Sequence, residues 1–266
     1  MNFASACVGE MKKQRRNYFS SCSTYISLII WPVLTVASTF FSYKSFDIIL
    51  LKKMGIASIS NLAIFLITGY LCYNCFWVMV QSAFFMRYER QNGTLETIFI
   101  SPASRLAIVY GRSMGALFQS TWILVLYVIL ILIIGKKQIL NIVFTLPIVF
   151  AIVIISSIIW GGFINSIFIV SRDVDFWFLV CDEPMKLLSG VSIPISVMPF
   201  LLKTISSIFP LTYSLKITRE LLVGGKIKAL VLGRYIIANM VVVAITVIIV
   251  KVSERNNRKT GNLQLY

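Results

Sequence analysis

From Leu230 to Val250 the chain runs for 21 residues with a single charge, Arg234, and similar stretches recur along its length. Tyr25–Tyr43, Asn61–Val80, Leu117–Ile134 and Ile142–Trp160 carry no charge at all. A bilayer core about 30 Å thick takes about 20 residues of helix to cross, and its dryness forces each backbone N–H and C=O to pair within the segment. Continuous apolar runs without strand-like alternation point to helices rather than to a barrel. Composition agrees. Of 266 residues, 58% are hydrophobic and 13% charged, with a mean hydropathy of +0.86; soluble domains average about 45–50% and about 25%. That balance excludes a cytosolic enzyme, a disulfide-stapled secreted domain and a disordered tail.

A sixth segment, Phe176–Ile193, is also apolar but contains Asp182, Glu183, Pro184 and Lys186. The fold expected is therefore all-α: a polytopic integral membrane protein with six transmembrane helices over residues 25–250, an odd number of spans being the alternative. Residues 1–24 form a cytoplasmic amphipathic segment in which Val8, Met11, Tyr18 and Phe19 recur among Lys12, Lys13, Arg15 and Arg16. The run that follows lacks a small-residue cleavage site and reads as an anchor. Residues 251–266 form a polar cytoplasmic tail.

The net charge is +15, and basic residues collect on the cytoplasmic side of membrane proteins. With both termini cytoplasmic, thirteen basic residues lie inside and eleven outside, and six of those eleven fall between the last two spans. The early loops set the orientation, in a plasma-membrane, multi-pass arrangement. No aromatic-interleaved basic patch indicates nucleic acid. The chain has no histidine, hence neither the usual metal ligand nor the usual proton shuttle, and its five cysteines show no paired metal spacing. No metal site is expected.

The most informative polar stretch is Arg87-Tyr88-Glu89-Arg90-Gln91-Asn92-Gly93-Thr94-Leu95-Glu96-Thr97-Ile98-Phe99-Ile100-Ser101-Pro102. Asn92-Gly93 is a helix stop, with Gly93 suited to the left-handed conformation. Thr94 is placed to cap a short helix whose first turn holds Glu96. Ser101-Pro102 is expected to end that helix and open another. Leu95, Ile98 and Phe99 give the short element one apolar face. Such an element either docks a peripheral partner or rests on lipid headgroups.

Between Pro194 and Pro210, three prolines (with Pro199) interrupt the backbone ladder, so the pieces must pack on protein or face water. Short helices dipping into the outer leaflet between spans five and six satisfy that demand.

Glu89-Arg90-x-x-Gly93-Thr94-Leu95-Glu96, followed by Ser101-Pro102 and Gly111-Arg112, resembles the signature loop of ABC-2 type (ATP-binding cassette) exporter permeases. Leu188-Ser189-Gly190-Val191-Ser192-Ile193-Pro194 with Met198-Pro199, then Phe209-Pro210-Leu211-Thr212-Tyr213 and Arg219, resembles their second signature. Order and spacing match from about Glu89 to Gly225, roughly half the chain. The resemblance implies an all-helical permease paired with a second permease, as homodimer or paralogous heterodimer, and with two cytosolic ATPase subunits. It implies that ATP and Mg bind the partner ATPase, that this chain binds no cofactor, and that the N-terminal helix and the Glu89–Pro102 loop contact the ATPase. It also implies that Gly190, Pro194, Pro199 and Pro210 shape the outer re-entrant segment. The charged fifth span departs from the family pattern, which is more uniformly apolar there. Independently, the sequence contains no G-x-x-x-x-G-K-[ST] phosphate loop.

On a helix, Asp182–Lys186 (i, i+4) and Glu183–Lys186 (i, i+3) can neutralise one acid locally. An unpaired charge near the bilayer centre costs about 2.5–3.5 kcal/mol, so these residues either face the translocation path or partner permease, or sit at the interface. Asn74 gives the second span a polar side. Arg172, beside Asp173-Val174-Asp175, is a candidate for the ATPase interface. The expected function is export of an amphipathic or apolar substrate (drug, antibiotic, lipid or glycan) without covalent chemistry by this chain. The competing class is a membrane-embedded enzyme acting on lipid-linked substrates, with Asp182/Glu183 or Asp173/Asp175 as its acids.

Overall fold

The computed structural model describes residues 2–18, 20–44, 59–94, 98, 101–134, 139–171, 173–222 and 227–260, and they form helices joined by short turns. In chain order these are α1 (Phe3–Tyr18), α2 (Cys22–Lys44), α3 (Ile59–Gln91), α4 (Arg105–Gly115), α5 (Leu117–Ile134), α6 (Ile139–Val170) and α7 (Val174–Leu188). A 3-10 turn (Ile195–Val197), α8 (Phe200–Ser206), α9 (Pro210–Leu222) and α10 (Ala229–Thr260) complete it. No strand occurs among the described residues. Five stretches are long and apolar enough to cross a membrane: Cys22–Tyr43, Asn61–Gln91, Arg105–Leu130, Thr145–Val170 and Ala229–Arg255. The chain has the architecture of a multi-pass membrane protein.

The central pillar is α3. Of its apolar stretch 72% is buried inside the protein, against 6% for α2 at the periphery. It packs on α6, α5, α2, α9 and α4. Bilayer lipid is as apolar as leucine, so helices associate through close backbone approach and interhelical hydrogen bonds rather than through the hydrophobic effect. Both devices are present. A Cβ on Gly161 of α6 would lie 2.8 Å from Met79 Cβ of α3 and 2.9 Å from Ser113 Oγ of α4. Four residues on, Asn165 donates to Ser82 Oγ at 2.9 Å and to Ser113 Oγ at 3.2 Å, tying α3, α4 and α6 at one point. Ser156 Oγ donates to Asn239 at 2.9 Å to join α10, and Tyr70 and Thr39 share a 2.8 Å bond between α3 and α2.

The third expected span begins earlier than its apolar run. α4 carries Arg112 and meets α5 at Ala116, where the N–H of Ala116 bonds Ser113 O at 3.1 Å and the helix tightens for one residue.

The expected fifth span differs more. Its helix ends at Leu188, giving 15 residues and about 22 Å, and it is not among the five long stretches. Pro184 removes one donor within it, and Gly190 turns the chain at φ 88°. α7 nevertheless runs antiparallel along α3. Asp175 meets Arg87, Phe178 meets Phe84 and Trp77, Asp182 meets Tyr73, and the Val191 carbonyl lies against Gly69. The path from Arg87 to Gly69 covers 18 residues of α3, about 27 Å.

Replacing Gly161 with Val is expected to destabilise the bundle by about 1–3 kcal/mol through overpacking. Gly9→Ala, at a position with nothing within 4 Å, is expected to leave it unchanged or slightly stabilised. Thermal unfolding of both variants in detergent checks this, and equal midpoints would contradict the packing described.

Candidate functional site

At one end of the bundle α1 lies across α4 and the last turn of α3. Small residues make the crossing close. A Cβ on Gly111 would fall 2.7 Å from Cys7 O, and one on Gly115 would fall 2.6 Å from Gln14 Cβ. The face of α1 that docks is Ala6, Cys7, Glu10 and Gln14 at helical spacing, while Val8 points outward. The inward stripe is thus partly charged, and its charges are matched. Arg112, with no exposure, is bonded to the Glu89 carboxylate through Nη2, and its Nε lies 3.3 Å from Glu10 Oε1. Lys13 Nζ lies 2.8 Å from Glu10 and 3.0 Å from Glu89, and Gln14 Nε2 donates to the same two oxygens at 2.8 and 3.3 Å. Two acids, two bases and one amide close a collar around the junction of α1, α3 and α4. Tyr18 stacked on Phe85 at 4.2 Å and Arg15 over Phe118 at 3.8 Å extend it along α1.

Breaking such a pair strands a buried charge, which costs about 3–5 kcal/mol. Burial and the Glu10 charge both push the Cys7 thiol above its usual range, so little reactive thiolate exists while α1 is docked.

Below the collar α3 stops where the sequence places the stop. Gly93 takes φ 69°, its N–H bonding Arg90 O at 3.1 Å. Thr94 donates its hydroxyl back to Glu89 O at 3.1 Å. Arg90 points inward, donating to Phe168 O at 2.8 Å and Ser171 O at 3.2 Å at the end of α6. Leu95, Glu96 and Phe99 lie outside the described residues, as does Arg172; Ile98 is described, and its carbonyl accepts from Arg105 at 3.2 Å. The next helix does not start at Pro102. Residues 101–103 are bends, Ser101 donates to Ile98 O, and Ser104 is the boundary residue before Arg105. Ser104 takes the cap position without a side-chain cap bond, although Ser101-Pro102 carries the stronger local signal. Asp173 accepts from Phe176 N at 3.1 Å as the cap of α7, and Asp175 pairs with Arg87 at 2.7 Å.

Midway along α3, Tyr73 donates to Asp182 Oδ2 at 2.8 Å, while Asp182 itself is 1% exposed. Neither ion pair expected within α7 forms: no contact within 4 Å joins Lys186 to Asp182 or Glu183 among the described residues. Tyr73 turns the Asp182 carboxylate inward, and Lys186 Nζ sits 5.7 Å from the Tyr73 ring centre instead. Asn74 donates to Tyr127 at 2.8 Å and to Tyr70 O at 2.8 Å, so it binds helix to helix. Glu183 is exposed on the outer side of α7.

At the far end each proline opens a helical piece: Pro194 before the 3-10 turn, Pro199 before α8 and Pro210 as the first residue of α9. Arg219 of α9 ties these pieces to the pillar. It donates to Phe65 O at 3.1 Å and Val191 O at 3.4 Å and stacks on the Phe65 ring at 3.7 Å. Phe65 is 24 residues from Glu89, about 36 Å along α3.

Sequence reasoning missed Glu10, Gln14 and Lys13 as partners of Glu89. The usable signal was Gly111-x-x-x-Gly115, the spacing of a close helix crossing. Among the described residues no cluster of His, Cys, Asp and Glu could hold a metal. Comparison with known protein families, curated proteins and solved structures finds no match for this chain.

Arg112→Met is expected to release α1 and expose Cys7. In a Cys22→Ser background, maleimide modification of Cys7 should rise several-fold over the parent, followed by mass spectrometry. Unchanged labelling would mean the collar does not hold the helix.

Proposed function

We propose that this chain is the membrane-spanning subunit of an ATP-driven exporter, working beside a second permease and a pair of cytosolic ATPase subunits that carry ATP and Mg. The observation that carries this reading is the collar. A helix outside the apolar stretches is fixed by buried charges to the end of the central pillar, next to a sharp turn. A protein moved by an external motor needs a stiff handle of that kind, because a load applied to a frayed loop would be lost in local motion. Glu89 belongs to the handle's interior. Its surface is made by Tyr88, Gln91, Asn92, Gly93 and Thr94, all exposed. A groove beside it is lined by Gln81, Phe84, Arg87 and Tyr88.

In this reading both termini are cytoplasmic, in the plasma membrane, and the chain crosses six times. The fifth crossing is α7 continued by Ser189–Val191, since that path follows α3 for nearly the depth of the hydrocarbon. The pieces α8 and α9 are the outer re-entrant helices. ATP-driven closure of the motor pushes the turn and α1; the collar moves as one body, and α3 carries the displacement to Asp182–Tyr73 and on to Arg219. Glu183 and Lys186 face the substrate path or the second permease. The cargo is amphipathic or apolar.

A membrane-embedded enzyme would need an acid open to substrate. Asp182 is buried against Tyr73, Asp173 caps a helix and Asp175 pairs with Arg87. None of the proposed acids stands free except Glu183, and it has no activated nucleophile beside it.

A photo-crosslinking residue at Tyr88 of the full chain, in cells producing the ATPase partner, is expected to capture that ATPase. The same residue at Phe200, at the opposite end, is expected not to. Capture at Phe200, or at neither position, would contradict the proposal.

A further inference from the structure

The six basic residues from Lys203 to Arg234 offset the positive-inside pattern that the rest of the chain follows. The fold gathers four of them, Lys203, Lys216, Arg219 and Arg234, around one space. α9 packs on α6, α10 and α3 and buries Leu211, Ser214, Thr218 and Leu221, which turns Tyr213, Lys216 and Glu220 to the other side at helical spacing. Lys203 of α8 and Arg234 of α10 face the same space, a cleft of about 520 Å³ with Arg219 in its wall. That volume lies within the usual range for small ligands.

The electrostatics of this cleft are unbalanced. Arg219 is committed to backbone carbonyls. The side chains of Lys203, Lys216 and Arg234 make no hydrogen bond or ion pair among the described residues, although an acid stands beside them. That acid, Glu220, has a buried Oε2 without a donor. Three uncommitted cations around one cleft call for an oxyanion, and the Glu220 carboxylate in the same lining can accept from a donor on that ligand. The surroundings say where such a ligand lives. α8 and the turn after it present Phe200 at 82% exposure, Leu201 at 74% and Ile208 at 65%. A short helix with that exposed apolar surface lies in the headgroup and acyl boundary of the bilayer.

We infer that the cleft between α8, α9 and the start of α10 binds a phosphate-type anion that also carries a hydroxyl or ammonium donor, the chemistry of an anionic phospholipid headgroup. Lys203, Lys216 and Arg234 hold the oxyanion, Glu220 accepts from the donor, and the acyl chains lie along the apolar side of α8. This goes beyond the exporter reading and does not depend on it, because the cleft lies about 36 Å from the collar and needs no ATPase.

Native mass spectrometry of the full chain in detergent, titrated with phosphatidylglycerol and with phosphatidylcholine, tests the site. The intact protein is expected to retain phosphatidylglycerol in preference to phosphatidylcholine. The triple variant Lys203→Gln, Lys216→Gln, Arg234→Gln is expected to bind phosphatidylglycerol about tenfold more weakly or worse. A charge-matched control, Lys12→Gln, Arg16→Gln, Lys251→Gln, should bind as the parent does. Inorganic phosphate added as competitor identifies the source: displacement shows that the free anion suffices, and retained lipid shows that the acyl chains are required. Equal binding by parent and triple variant, or an equal loss in the control, overturns the site. Should the triple variant not fold, Lys203→Glu alone, at an exposed position, is expected to weaken binding several-fold, and unchanged binding there overturns it equally.

Discussion

The contact between Arg112 and Glu89 decides what kind of object the rest of the structure is. Both groups are removed from water, so each is tolerable only while the other is present. Glu10, Lys13 and Gln14 arrive from α1 to complete the neutral set, and the two glycines of α4 let the backbones come close enough for those side chains to reach. Through these groups α1, the end of α3 and α4 become one body, and Asn165 passes the constraint to α6. Without the pair, α1 would rest on the bundle through Ala6, Cys7, the Tyr18–Phe85 stack and Arg15 over Phe118.

The same principle recurs along the pillar at greater depth. Polar side chains between the helices are spent on one another or on backbone: Asp182 on Tyr73, Asn74 on Tyr127, Arg219 on two carbonyls of neighbouring segments. Each bond of this kind is modest inside a membrane, averaging about 0.6 kcal/mol, but leaving a group unmade there is costly, so the bonds fix register more than they add stability. The sites where this economy fails are informative. Glu183 on α7 and the side chains of Lys203, Lys216 and Arg234 at the far end have neither hydrogen bond nor ion pair among the described residues, and they are where the proposed partner and ligand would act.

Most helix positions were legible because absence of charge over 18 or more residues leaves a membrane segment few alternatives. The stop at Gly93 was legible for a local reason, the need for a left-handed residue after α3. The start of α4 was misplaced because Ser101-Pro102 carries the stronger local signal, whereas Ser101 donates back to Ile98 O and the helix begins after Ser104, which makes no side-chain cap bond. The extent of α7 was overestimated, since Pro184 and three charges shorten a helix whose hydropathy alone reads as a full span. The collar was least legible of all. Glu10 and Arg112 stand 102 residues apart, and no periodicity links residues that meet only after three helices have packed. Reading Glu89 as a surface contact followed from its charge; its burial follows from a partner that the local sequence does not contain.

Hydrogen–deuterium exchange of the amides of α1 in the intact, unmodified chain tests the collar most directly. If buried charges hold α1 to α4, residues 6–14 exchange slowly, on the timescale of α4 itself. If those amides exchange at the rate of an undocked peptide while α4 remains protected, α1 is not part of the body described, and the handle on which the functional account depends does not exist.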